Sequence, residues 1–221
     1  MKFFDLFKRT PAPVRKRRYE AAIINRLTSD WLNSCTSADA ELYRDLKRLR
    51  SRSRDLCINN DYARRFLKRT STNVIGSSGI GLQIRASDES GNLLGIINSE
   101  ILQQFNAWGK LGVCSVDGKL SWIDCQRLFL ESVARDGEII VRLVSGFDNP
   151  FGFALQFIEA DHLDESLNEQ LADGSYICMG IEFNKWNRPV AYYLHQSHPG
   201  EFFGHSKHLL RNRFCEVLQV V

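Results

Sequence analysis

Ten cations fall between positions 44 and 69 of this chain: Arg44, Lys47, Arg48, Arg50, Arg52, Arg54, Arg64, Arg65, Lys68 and Arg69. Clustered lysine and arginine grip phosphate by releasing its condensed counterions, a mode that is steeply salt-dependent and indifferent to base sequence. The same charges suit an acidic neighbouring subunit, so double-stranded DNA and a second protein surface stand as equal candidates, ahead of plain solvation. Few aromatic residues interleave with the cations, which disfavours a stacking platform for single strands.

Two further groups carry possible chemistry. His195, His198, His205 and His208 form two pairs at three-residue spacing, a source of imidazole nitrogens for a metal. No cysteine pair or paired carboxylate completes a zinc pattern, however, and Pro199-Gly200 makes the segment a loop. Glu159, Asp161, Asp164 and Glu165 surround His162, which admits a two-carboxylate hydrolytic centre or a cation loop. An acidic turn after a buried strand is more often a capped surface loop, and no nucleophile elbow, phosphate loop or HExxH motif is present. No catalytic, cofactor-binding or metal-ligating residue is assigned, and the chain is not expected to be an enzyme.

The elements that must position these groups follow from periodicity. Leu42, Leu46, Leu49, Ser53 and Leu56 trace one face of a basic helix, expected to pack through its leucines. Asn59-Asn60-Asp61 interrupts it, and Asn60 or Asp61 caps a second helix running to about Thr72, with Tyr62, Ala63, Phe66 and Leu67 on its apolar side. Gly76, Gly79 and Gly81 hand the chain to a short strand, Ile80 to Ile84. A third helix carries Leu94, Ile97, Ile101, Phe105 and Trp108. A fourth starts with a capping-box-like Ser121 and Asp124 and buries Trp122, Cys125, Phe129 and Val133. The tight turn Asp136-Gly137-Glu138 delivers a strand over 139–144, another leads into the acidic turn, and Ile177 to Leu194 reads as a β-hairpin around Asn184 to Arg188. The fold class is therefore α+β, with N-terminal basic helices followed by a mostly antiparallel strand region.

The segment RSRDLCINNDYARR, followed by Asn73-Val74-Ile75-Gly76, resembles the start of the lambda-type phage portal family. Trp108, the Asp136-Gly137-Glu138 turn, the strand end from Leu155 to Asp164, and Met179-Gly180-Ile181-Glu182-Phe183 with Pro189-Val190-Ala191-Tyr192 are similar to that family in the same order. The resemblance spans roughly Arg17 to Leu194. It implies a portal wing-like region and a structural subunit, joined head to tail into a ring at one capsid vertex, for DNA packaging, ejection and tail attachment. The partners it implies are other portal subunits, terminase, capsid and tail-joining proteins, and non-specific double-stranded DNA, in the virion and in the host cytoplasm during assembly. The family continues well past an equivalent of Glu216-Val217-Leu218, so the resemblance also implies a truncated or partial product that forms monomers or oligomers of no fixed size. The expected organisation is a basic flexible arm over 1–18, a wing-like domain over 19–196 and a divergent tail over 197–221.

Composition agrees with a globular body. A hydrophobic share of 43% and a charged share of 25% supply enough apolar matter for a core. Residues 1–70 hold 18 Lys and Arg against 8 Asp and Glu, whereas residues 71–221 hold 11 against 18, so a basic front precedes an acidic remainder. No run approaches the length of a membrane span, and no membrane partner is expected. The six cysteines lie in helical or strand patterns without a CxxC pair and read as reduced, mostly buried side chains. The four tryptophans read as core or hairpin anchors. Two alternatives remain at this level: a small nucleic-acid-binding regulator using residues 37–72, and a metal-dependent hydrolase built on the histidine and acidic clusters.

Overall fold

Side chains that bond to nearby backbone decide the first ordered stretch. Helical periodicity predicts a helix from near Tyr19 to around Trp31 to Asn33; of that span residues 22–31 are described, and they hold turns rather than an α-helix. Asn25 Oδ1 accepts from the Leu27 amide at 2.8 Å, and Thr28 Oγ1 accepts from the Asn25 amide at 2.9 Å while donating to the Ile23 carbonyl at 2.8 Å. Such local bonds offer the backbone an alternative to the helix. The computed structural model describes residues 22–31, 35–195, 197–200, 209–212 and 217–219. The expected arm over 1–18, together with His205, His208 and Cys215, lies outside the described residues. The chain divides into two units, Met1–Ala38 and Asp39–Val221.

Helix α1 spans Ala38–Asn59, all but its first residue in the second unit, and α2 spans Asp61–Val74. Asn60 separates them as expected: its Oδ1 accepts from the amides of Tyr62 at 2.9 Å and Ala63 at 3.2 Å. The expected leucine contact of α1 is corrected by the structure. Arg50 is its one buried residue, while Leu42, Leu49 and Leu56 are exposed. Leu46, Ser53, Arg54 and Cys57 flank Arg50 on the half-buried arc, so the helix approaches the body where small side chains permit, and the leucines lie on one flank.

The glycine turn after α2 forms, but no strand follows over residues 80–84. The Gln126 side chain takes the place of a partner strand there, accepting from the Ile80 amide at 2.7 Å and donating to its carbonyl at 3.2 Å. Helix α3 spans Gly95–Trp108 and α4 spans Trp122–Asp136. The capping box of α4 is complete, with Ser121 Oγ accepting from the Asp124 amide and Asp124 Oδ2 from the Ser121 amide, a motif that stabilises by about 1 kcal/mol. The face expected on α3 is buried only at its end. Phe105 and Trp108 enter the core, and the Trp108 indole donates to the Phe153 carbonyl at 3.0 Å, while Ile97 and Ile101 remain exposed.

Strands β1, Ile140–Ser145, and β2, Phe153–Ile158, pair antiparallel from Ile140 opposite Ile158 to Ser145 opposite Phe153. A second sheet holds β3, Glu169–Gln170, β4, Tyr176–Cys178, β5, Ile181–Phe183, β6, Pro189–His195, and β7, Leu209–Asn212. Strand β8, Val217–Gln219, returns antiparallel to the free side of β1. The single hairpin expected from Ile177 to Leu194 is three strands, because Met179 and Gly180 both have positive φ, 49° and 79°, and close a two-residue turn. Gly180 is needed there on a second ground, since a Cβ would meet the Asp164 carbonyl oxygen at 2.6 Å.

Strand β1 is buried on both faces. Val141 joins Trp108, Cys114, Cys125 and Leu155 in one core, whereas its neighbour Ile140 joins Leu163, Tyr192 and Leu194 in another. Alternation along a strand explains the division, and the apolar run Ile139-Ile140-Val141 serves both sides. Trp122 packs against the first core, while Trp31 and Trp186 are exposed, so two of the four tryptophans depart from the expected anchoring role. Of the five described cysteines, Cys114 and Cys125 are buried, Cys57 and Cys178 are half-buried and Cys35 is exposed, fewer inside than expected.

Candidate functional site

A helix turns about 100° per residue, so cations spaced by two point to opposite sides and those spaced by four share one. The run Arg48, Arg50, Arg52, Arg54 therefore splits. Arg48 and Arg52 face outward with Arg44 and Lys47, and α2 adds the exposed Arg64, Arg65, Lys68 and Arg69. Arg48 lies 3.3 Å from Asp45, and Arg64 pairs with Asp61, both in exposed settings where such pairs stabilise little.

Arg50 and Arg54 turn inward, away from any outside ligand. The Arg50 side chain is 1% exposed and meets Glu138, Asp161 and Glu165, at 2.9 Å for Asp161 Oδ1 and 2.8 Å for Glu165 Oε1. Arg54 grips Asp136 with Nε at 2.8 Å and Nη2 at 3.0 Å and also reaches Asp161. Arg135 completes the group on Asp136 at 2.8 and 3.0 Å. Arg50 Nε is buried without an acceptor among the described residues, and Glu165 Oε1 lacks hydrogen-bond alignment, so Coulomb attraction does much of the holding. Burial alone would raise the Asp161 pKa, but Arg54 and Arg50 outweigh it and bring the group down to about 2. Asp136 is lowered in the same manner, its burial overcome by Arg54 and Arg135. Glu138 goes the other way: burial raises it, and Arg50 offsets only part of that.

The sequence groups that suggested a metal or a hydrolytic centre belong largely to this network. Glu159, Asp161 and His198 each offer a ligand atom, all within 4.8 Å of one another. Asp161 already receives Arg50 on Oδ1 and Arg54 on Oδ2, so a metal there would face two guanidinium groups. His198 Nε2 lies 3.4 Å from Asp161 and 3.6 Å from Glu159, and its ring stands edge-on to His162 at 5.8 Å. His162 Nδ1 sits 3.0 Å from the His195 carbonyl oxygen, and His195 Nε2 lies 3.8 Å from Asp164. Asp164 caps its own loop, accepting from the Ser166 amide at 3.2 Å and hydroxyl at 2.5 Å. A cavity of about 710 Å³ beside α4 is lined by Phe105, Trp108, Trp122, Phe129, Phe153 and Phe157 among other apolar side chains. Gln126 and Cys125 line it as well, the Cys125 thiol with its pKa pushed up by burial.

Sequence reasoning missed the inward turn of Arg50 and Arg54. The available signal was Ser53 and Cys57, small residues three and seven positions after Arg50 on the same arc.

The second unit thus presents an outward basic helix pair, and internal ion pairs hold the first of these helices to an antiparallel body. A family model described as phage portal protein, lambda family, matches residues 25–220, and the chain belongs to that family. A probable portal protein of Halomonas phage phiHAP-1 is 38% identical over 193 residues, covering 86% of this chain and 37% of that protein. The chain thus spans little more than a third of the length of this relative. Neither comparison supports the regulator or the hydrolase alternative. Among the described residues, no helix is long and apolar enough to cross a membrane.

Two outcomes follow from the buried network. Arg50→Ala leaves Glu138, Asp161 and Glu165 converging without their shared cation, and chemical denaturation at pH 7 is expected to show a loss of about 3–5 kcal/mol. In the wild-type protein the folded Asp161 titrates near 2, below its ordinary 3.8, so its stabilising contribution is complete above pH 3.8 and disappears as the pH falls toward 2. Denaturation midpoints measured through that window should register a loss of about 2 kcal/mol, and Asp161→Asn should flatten the change.

Proposed function

We propose that the chain forms part of a portal subunit, the ring at one capsid vertex through which DNA is packaged and released and to which the tail attaches. Membership of the lambda portal family over residues 25–220 carries this reading. The role is structural and needs no catalytic constellation. Other copies of the subunit, terminase, capsid and tail-joining proteins are its proposed partners, in the virion and in the host cytoplasm during assembly. Within residues 19–196 the proposed wing-like domain supplies the surface, and the exposed Arg44, Lys47, Arg48, Arg52, Arg64, Arg65, Lys68 and Arg69 supply contacts to DNA or to the next subunit. Arg50 and Arg54 serve that surface indirectly, by holding α1 in place.

Gold-labelled antibody raised against this chain should mark a single vertex of capsids made by the phage that encodes it; label spread over the shell, or absent from particles, would sink the proposal. DNA retention on filters across a salt series tests the cations separately. Changing Arg48 and Arg52 to Gln should reduce the slope of log K against log salt by about 1.8 if both neutralise phosphate. An unchanged slope assigns these two residues to a protein neighbour.

A further inference from the structure

Two faces of this chain pair apolar residues with opposite charge, and neither is covered by the described residues. On α1 the exposed Leu42, Leu49 and Leu56 recur every seven residues, one every two turns, and α2 exposes Tyr62 and Phe66. Over residues 38–74 ten Lys and Arg stand against five Asp and Glu, and even without the inward Arg50 and Arg54 the balance is eight against five. The second face belongs to α3 and the turn before it. Ile96, Ile97 and Ile101 are exposed, Ile96 to 86%, and residues 86–109 hold Asp88, Glu89 and Glu100 without a cation, Arg85 and Lys110 standing just outside the two ends. Helix α3 meets the core at its Phe105 and Trp108 end, and Asn98 ties its first turn to the Ala86 backbone, while Ile96, Ile97 and Ile101 stay clear of the core.

We infer that α3 of one copy docks on the α1–α2 face of the next copy, its isoleucines against the leucine row and its acidic groups among the outward arginines. The occupant is a second copy because this chain itself supplies both complementary surfaces: apolar contact gives the area, and the sign difference orients the approach and disfavours like faces meeting. The two surfaces differ, so the contact is heterologous and each copy retains one unused face, a geometry that propagates and closes into a ring when the rotation permits. This assignment rests on the ring reading and gives it a specific joint.

Sedimentation velocity of the full 221-residue chain tests the joint. The wild-type protein should self-associate with concentration at low salt and dissociate as salt rises. One variant, Ile97→Gln with Ile101→Gln, loses the α3 face; another, Leu49→Gln with Leu56→Gln, loses the α1 face. All four positions are exposed, so far-UV circular dichroism should be unchanged. Each variant alone should associate at least about tenfold more weakly than wild type. An equimolar mixture of the two should form a one-to-one complex, because each brings the face the other lacks. A wild-type chain that stays monomeric at low salt, a variant that associates as wild type does, or a mixture that fails to pair would each overturn the inference. Single-vertex labelling does not depend on these residues. Labelled vertices with an unpaired mixture reject this joint alone, whereas unlabelled vertices reject the ring reading itself.

Discussion

The Arg50 guanidinium is where α1 meets the rest of the second unit. It reaches Glu138 in the turn between α4 and β1, Asp161 in the acidic turn after β2, and Glu165 in the loop leading to the second sheet. Removing a cation from water is costly, and three carboxylates brought together without one would repel and desolvate each other. Cation and anions are therefore each tolerable inside only because the other is there. Arg54 and Arg135 share the remaining load on Asp136 and Asp161. Four carboxylates and three guanidinium groups thus form one unit, and its position fixes the rotation of α1. With Arg50 and Arg54 held inward, Arg48 and Arg52 can only point out.

Strand β1 is the second constraint. Its neighbours Ile140 and Val141 enter different cores, one against β6 and the loop at Leu163, the other against α4 and Trp108. A shift of one residue in its pairing with β2 would exchange the two side chains and spoil both cores at once. Glu138 lies two residues before this strand, so the ion cluster and the double core are built on the same short segment. Gly137 makes this possible with a φ of 86° at the C-terminus of α4, reversing the chain between helix and strand.

Much of this architecture was legible in the sequence. The Asn60 break, the Ser121–Asp124 capping box, the Asp136-Gly137-Glu138 turn and the succession of helices before strands all rest on local chemistry, where side chain and backbone partners lie within a few residues. The failures have a different origin. Residues 80–84 carry strand-like alternation, yet a strand needs a neighbour, and the Gln126 side chain that replaces it lies 46 residues away. The leucine row of α1 satisfied a periodic pattern, but periodicity reports that a helix has an apolar stripe and is silent on what covers it. Likewise Arg50 and Arg48 are indistinguishable as letters, and only the distant carboxylates decide which is internal. The acidic turn read as a capped surface loop, whereas Asp164 and Glu165 are buried and Asp161 and Glu165 are partners of arginines assigned to the surface.

The internal pairing also changes what the charge asymmetry means. Counting by residue range makes the front basic and the remainder acidic, but part of each excess is cancelled inside, where Asp136, Glu138, Asp161 and Glu165 meet Arg50, Arg54 and Arg135. Outside, eight exposed cations remain on α1 and α2, and Asp88, Glu89 and Glu100 are exposed on α3 and the turn before it. Both surfaces hang from the same body, α1 through Arg50 to Glu138 beside β1, and α3 through the Trp108 indole to Phe153 on β2. In the inferred joint two unlike faces meet, and the angle between them would set the rotation per copy and so whether a ring closes. A buried, charge-locked attachment of one face and an aromatic, hydrogen-bonded attachment of the other hold that angle in a way that exposed pairs could not, since burial removes the salt screening and side-chain freedom that weaken contacts at the surface.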